Sequence, residues 1–139
     1  MTMSRTTYQS LLDGKVYIGG IDAVDTADAE HQIDAFFDLR GTRDEDDHEK
    51  SVYTPLTDGE EATSLQRAVQ QMKKAVEAGE TIYIHCNTGR GRTGAAATAL
   101  LLELGVASSI EEAEQMVKEA RDVIDIRPNF REALHKLYK

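Results

Sequence analysis

A chain that carries TIYIHCNTGRGRTGAAATAL at residues 81–100 has little freedom in how it folds around that stretch. Thr81 to Ile84 is a short apolar run that reads as a buried strand, and Thr93 to Leu104 reads as a helix stopped by Gly105. Ala95, Ala96 and Ala97 permit close packing beside the connecting turn. That turn must curl within a few residues, and Gly89, Gly91 and Gly94 supply conformations that a side chain would forbid. Curled backbone N–H groups at a helix N-terminus make an anion site. The chain's only cysteine, Cys86, stands at its rim with Arg92 further along the same loop. An electropositive setting of this kind favours the thiolate, the form that attacks.

Elsewhere the pattern alternates strand and helix. Lys15 to Ile21 reads as a short strand running into a Gly turn, Ala23 to Ile33 as a helix, and Asp34 to Leu39 as a strand buried on both faces. Arg40 to Lys50 is a charged loop whose acidic residues and His48 read as solvated surface rather than a metal site. Ser51 to Pro55 is a candidate edge strand, and Leu56 to Thr63 a turn-rich loop. Glu61 to Ala78 places Leu65, Ala68, Val69, Met72, Ala75 and Val76 on one helical face. Ser108 with Glu111 gives a capping box for a helix that turns Ile110, Ala113, Met116, Val117 and Ala120 inward, and a terminal helix starts at Pro128. The order predicts an α/β fold over residues 1–139 as a single domain, a central mostly parallel twisted sheet flanked by helices.

Size and charge narrow the partners. One domain with one core fits 139 residues, and a net charge of −9 argues against nucleic acid or an anionic membrane as a general partner. No stretch is apolar and long enough to span a membrane, and MTMSRTTYQS lacks the apolar core of a signal peptide. With one cysteine there is no internal disulfide, so a reducing, cytoplasmic location is the expectation; the sequence does not set the oligomeric state, and a monomer is assumed.

HCNTGRGRTG resembles the His-Cys-(five residues)-Arg-Thr/Ser signature of the cysteine-dependent protein tyrosine and dual-specificity phosphatases. KVYIGG near the start and IRPNF at Ile126 to Phe130 are similar to flanking elements of the compact dual-specificity members. The resemblance implies phosphomonoester hydrolysis through a phosphocysteine, without metal or cofactor, on a phosphorylated substrate, most simply a phosphoprotein. Cys86 is then the nucleophile. The loop amides from Asn87, Thr88, Gly89, Arg90 and Gly91 onward, with the planar fork of Arg92, hold the phosphate oxygens. By the same resemblance Thr93 donates its hydroxyl to the departing sulfur, and His85 orders the loop backbone from behind it. A general acid is also needed. The family supplies an Asp from an upstream loop, which points to Asp58, with Glu60 and Glu61 as neighbours able to displace it and Asp38 and Asp44 less well placed.

The chain departs from the larger tyrosine-specific phosphatases in having no Trp for the acid loop, and its length leaves little room for deep pocket walls. A shallow pocket tolerant of phosphoserine and phosphothreonine is the expectation. Arg90 occupies a loop position where the phosphoinositide phosphatases carry a basic residue, but Asn87 stands where they carry another, which keeps inositol phosphates and phospholipids as an alternative.

Other chemistries fit less well. GRGRTG satisfies the literal dinucleotide fingerprint, yet two bulky cations stand where a nucleotide backbone should approach. A Walker loop fails because Ala95 and Ala96 follow Gly94. A rhodanese-like sulfurtransferase or an arsenate reductase would also use a cysteine in an anion loop, but the Arg-Thr-Gly ending and an upstream Asp favour the phosphatase. A phosphate-binding module that kept the loop and lost catalysis is the reading from another class.

Overall fold

Three short strands, β2 (Val16–Gly19), β3 (Ala35–Asp38) and β5 (Ile82–His85), are buried at every position. Strands covered on both faces belong at the centre of a parallel sheet, and with β1 (Tyr8–Leu12) and β4 (Ser51–Tyr53) at the edges the order is β1-β2-β5-β3-β4. β4 (Ser51–Tyr53) is the half-buried edge beside β3. The central register sets Gly19 and Asp38 on either side of His85, so β2, β3 and β5 end level with one another. The computed structural model describes residues 3–41 and 49–138. The acidic loop cluster with Asp44 and His48 lies outside the described residues.

On one face lie α2 (Glu61–Glu77), α3 (Arg92–Glu103), α4 (Ile110–Ala120) and α5 (Pro128–Leu137). α3 is the hub, packing against α2, α4 and α5, and every residue from Thr93 to Leu101 is buried. α2 turns Leu65, Ala68, Val69 and Met72 into this core, as its 3.6-residue spacing requires. The opposite face is smaller. There α1 (Val24–His31), entered through a 3₁₀ turn at Ile21–Ala23, packs Val24 and Ala27 with Ile33 against Tyr17, Phe36 and Tyr83.

Two local expectations change. Residues 8–12, part of a segment read only as polar, form β1 (Tyr8–Leu12), antiparallel to β2. Four of its five residues are half-buried and only Ser10 is exposed, so alternation gives little signal, and what recruits the strand is the open edge of β2 and the edge-on and tilted ring contacts of Tyr8 with Tyr17 and Tyr83. The cap of α4 falls one residue later than Ser108–Glu111. Ser109 Oγ accepts from the Glu112 amide at 3.1 Å, and the Glu112 carboxylate accepts from the Ser108 amide at 2.7 Å. That register points Ile110, Ala113 and Val117 into the core.

Candidate active site

β5 delivers the chain to His85 and α3 takes it up at Arg92, leaving residues 86–91 to turn at the carboxyl ends of the parallel strands. Ligand crevices in α/β sheets form at this end. Only one of the three loop glycines is needed for its dihedral angles. Gly89 has φ 67°, and a Cβ there would lie 2.4 Å from the Gly19 carbonyl oxygen, so both conformation and space exclude a side chain. Gly91 has helical angles and room for a Cβ, contrary to the expectation. Gly94 is also helical; its role is packing, because a Cβ would come within 2.8 Å of Ile124 Cγ2.

The loop's shape is fixed by its carbonyls. His85 Nδ1 donates to Cys86 O at 3.2 Å, and the Ile21 amide donates to Asn87 O at 3.0 Å. Arg121 donates to Thr88 O at 2.8 Å and to Gly89 O at 2.9 Å, and the Asp125 amide donates to Arg90 O at 3.1 Å. Each consecutive carbonyl from Cys86 to Arg90 is thus held by the surrounding scaffold. In a trans peptide the following N–H points the opposite way, and there is no cis bond among the described residues. The amides of Asn87 to Gly91 therefore turn away from these anchors, as an anion nest requires.

Arg121 was not anticipated. It follows α4, is 2% exposed, and besides the two loop carbonyls it donates to Thr7 O and Oγ1 at 3.2 Å and to Gln9 Oε1 at 2.7 Å. One buried guanidinium therefore ties the loop to the amino-terminal strand. Burial pulls its pKa below the usual arginine value, while nearby Tyr83 and Cys86 hold it up. The fixed fork of five donors suits this task, since a lysine has no planar array to reach both segments. No local sequence pattern marks such a residue.

Cys86 is 7% exposed, and Thr93 Oγ1 donates to its Sγ at 3.2 Å. Arg92 is pre-set: Nε donates to Leu56 O at 2.8 Å, a terminal nitrogen lies 3.7 Å from Asp58, and its guanidinium carbon sits 5.9 Å from the Phe130 ring centroid. Asp58 stands at the rim, its side chain 75% exposed, and accepts from Asn129 Nδ2 at 3.2 Å.

These groups surround a cleft of about 590 Å³. Cys86, Asn87, Thr88, Gly91, Arg92 and Asp58 line it, as do Arg40, Gly41, Arg127, Asn129 and Phe130. His85 and Thr93 lie buried beneath it. Two expected loop residues lie elsewhere. Gly89 is pressed on Gly19, and the Arg90 side chain turns away to donate to Val123 O at 3.2 Å, so Arg90 does not face the cleft.

The rival acids are otherwise engaged. Glu61 accepts from the Gly59 amide at 2.8 Å and from Asn129 at 3.1 Å, contacts that hold its carboxyl below the usual range and favour the charge a general acid must lack. Asp38 is fully buried and bound by Arg40 through Nε at 2.9 Å and NH2 at 2.8 Å. Glu60 is exposed outside the cleft. Of the wall residues not assigned to the site from sequence, Arg127, Asn129 and Phe130 lie in the IRPNF segment, marked there only by its likeness to a flanking family element and by a Pro at the start of α5.

A nucleophile on an anion nest between a parallel strand and a helix defines a class, and the comparisons agree with it. The dual specificity phosphatase catalytic domain family matches residues 16–139, and the chain belongs to that family. It is 33% identical over 76 residues to human phosphatidylglycerophosphatase and protein-tyrosine phosphatase 1, covering 55% of this chain and 37% of that protein. It is 38% identical over 73 residues to human dual specificity phosphatase 28, covering 52% and 40%. These matches thus span less than half the length of either relative. The fold is shared with the crystal structure of human dual specificity phosphatase 28 at a TM-score of 0.78 and 23% identity over 93% of this chain and 90% of that one. It is shared also with the PTP-2 phosphatase of Cydia pomonella, at 0.79 and 16% over 94% and 89%.

Proposed function

We propose that this protein hydrolyses phosphomonoesters in two steps through a phosphocysteine on Cys86. The thiolate Sγ attacks phosphorus and an S–P bond forms as the P–O bond to the leaving group breaks. Asp58, protonated, gives its proton to the departing oxygen. Water then attacks the phosphocysteine and Asp58 takes its proton. Phosphate leaves as the S–P bond breaks, and the Thr93 hydroxyl stabilises the released sulfur. The transition state spreads charge over three equatorial oxygens, and the amides of Asn87 to Gly91 with the Arg92 fork are the donors for it.

The observation that carries this reading is the row of outward-anchored carbonyls around a cysteine whose sulfur already accepts from Thr93 at 3.2 Å. Hydrolysis of an aryl phosphate without added metal, compared between wild type and Cys86→Ser, is the test. Turnover that survives the substitution would sink the mechanism, and a wild type that binds phosphate without turnover would favour the binding-module reading. For Asp58, replacement by Asn should remove the acidic group from the pH–rate profile and slow alkyl phosphates most. An unchanged profile would move the acid elsewhere.

Phosphoproteins are the first substrate class by family membership, acted on in a reducing cytoplasmic setting where Cys86 stays unoxidised. A second reading, phosphorylated lipids or polyols, gains support from the relative named as a phosphatidylglycerophosphatase as well as a protein tyrosine phosphatase.

A further inference from the structure

The side chain of Asp58 is 75% exposed, yet its surroundings leave it little freedom. Thr57 to Glu60 form a turn closed by the Glu60 amide donating to Thr57 O at 3.0 Å, with Gly59 at φ 92° where the turn needs a left-handed backbone. Side chains of α2 hold that turn on both sides of Asp58. The Thr57 amide donates to Ser64 Oγ at 3.0 Å, and the Gly59 amide donates to Glu61 Oε2 at 2.8 Å. With the backbone fixed, what stays adjustable is the Asp58 side chain, and Asn129 of α5 takes hold of it. An amide nitrogen carries two hydrogens. Asn129 Nδ2 spends them on two carboxylates, Asp58 Oδ1 at 3.2 Å and Glu61 Oε2 at 3.1 Å.

Among the described residues, every donor that reaches the Asp58 carboxylate faces the same oxygen. Besides Asn129, a terminal nitrogen of Arg92 lies 3.7 Å from Oδ1, and Oδ2 has no hydrogen-bond partner. A proton on Oδ1 would set an O–H against these N–H groups. We propose that Asn129 and Glu61 are positioning residues for the general acid: they hold Oδ1, so that Oδ2 carries the proton given to the leaving group and later takes one from water. This rests on the phosphatase reading above and on Asp58 as its acid. Glu61 suits the task because the Gly59 amide, and then Asn129, hold its carboxyl below the usual range. It stays a charged acceptor while Asp58 changes state. An Asp at position 129 would match Asn in shape, lose both donors and crowd a third carboxylate against the other two.

The test compares two aryl phosphates that differ in their need for a proton. Phenolate is a poor leaving group, whereas dinitrophenolate departs unprotonated. Asn129→Ala and Asn129→Asp should each lower kcat/KM for phenyl phosphate about 10–100-fold, the loss expected of a misplaced acid, and leave dinitrophenyl phosphate within about threefold of wild type. Glu61→Ala, on a different helix, should act in the same direction, and it carries the test alone if the Asn129 variants do not fold. Glu61→Gln, which keeps an acceptor for the Gly59 amide, should restore part of the rate. In an Asp58→Asn background, Asn129→Ala should cause no further loss, because the group it positions is already gone. Equal losses on the two substrates, additive losses in the double variant, or a wild-type rate on phenyl phosphate would overturn the proposal. If turnover survives Cys86→Ser, the phosphatase reading falls and the inference with it. If turnover needs Cys86 but Asp58→Asn leaves the contrast between the two substrates unchanged, the inference falls and the phosphocysteine chemistry stands.

Discussion

Arg92 reaches the cleft already oriented, with Leu56 O, Asp58 and the Phe130 ring each fixing one aspect of the guanidinium. Less ordering is then required when phosphate arrives, which is how positioning lowers a barrier. Arg92→Lys keeps the charge and loses the fork; kcat for an aryl phosphate should fall on the order of 10²–10³-fold, as for the loss of an aimed transition-state donor. Arg121 works from behind. Arg121→Ala frees the carbonyls of Thr88 and Gly89 to swing toward the cleft, and steady-state kinetics should show kcat falling on the order of 10²-fold through misplaced donors. Gln9→Ala, which removes only one of its partners, should give a smaller fall in the same direction. An Arg121→Ala variant with wild-type kcat would mean that the loop holds its shape unaided. That Cys86, Arg92 and Thr93 come together was legible in the sequence because they share one short loop and the turn of helix it enters. Arg121 and Arg127 were not, because the fold brings them there from later segments.

The helices hold the site by contacts that single residues decide. α3 approaches the 124–126 segment only because position 94 lacks a side chain. Gly94→Ala would push a methyl to 2.8 Å from Ile124 Cγ2 and 3.1 Å from Ile126 Cγ1. Overpacking of this kind costs about 1–3 kcal/mol, which a denaturant titration would read, with an unchanged midpoint as the contrary result. α4 and α5 are joined by Glu114, which accepts from Arg131 at 2.7 and 2.8 Å and lies 3.1 Å from Lys118. Its hydrogen bonds to Arg131 lead the effects that lower its pKa from 4.5 to about 2. A carboxyl lowered on folding stabilises the native state fully above its unfolded pKa and loses that contribution as pH falls through the folded value. Glu114→Gln should therefore melt below wild type at pH 7, with the gap narrowing below about pH 4.5 and closing near pH 2. A gap independent of pH would assign the loss to packing alone. The helical faces of α2 and α4 were readable from their period. β1 was not, since a half-buried edge strand carries no strong alternation, and the α4 cap lay one residue off because adjacent serines offer two equivalent starts.

Across the whole molecule, the acidic surface and the arginine-lined cleft divide the charge between them. A net charge of −9 coexists with Arg40, Arg92 and Arg127 on one concave wall, so the cleft is a local basic site in an acidic protein. The sheet explains where it sits: strands β2, β5 and β3 end together, and the loop after β5 turns there beneath α5. The most direct measurement of the central claim is mass spectrometry of protein quenched in acid during turnover of an aryl phosphate. The account predicts a phosphate adduct on the peptide containing Cys86, accumulating further in Asp58→Asn, where the second step lacks its base, and absent from Cys86→Ser. Sustained turnover with no adduct on that peptide, or with the adduct on another residue, would contradict it.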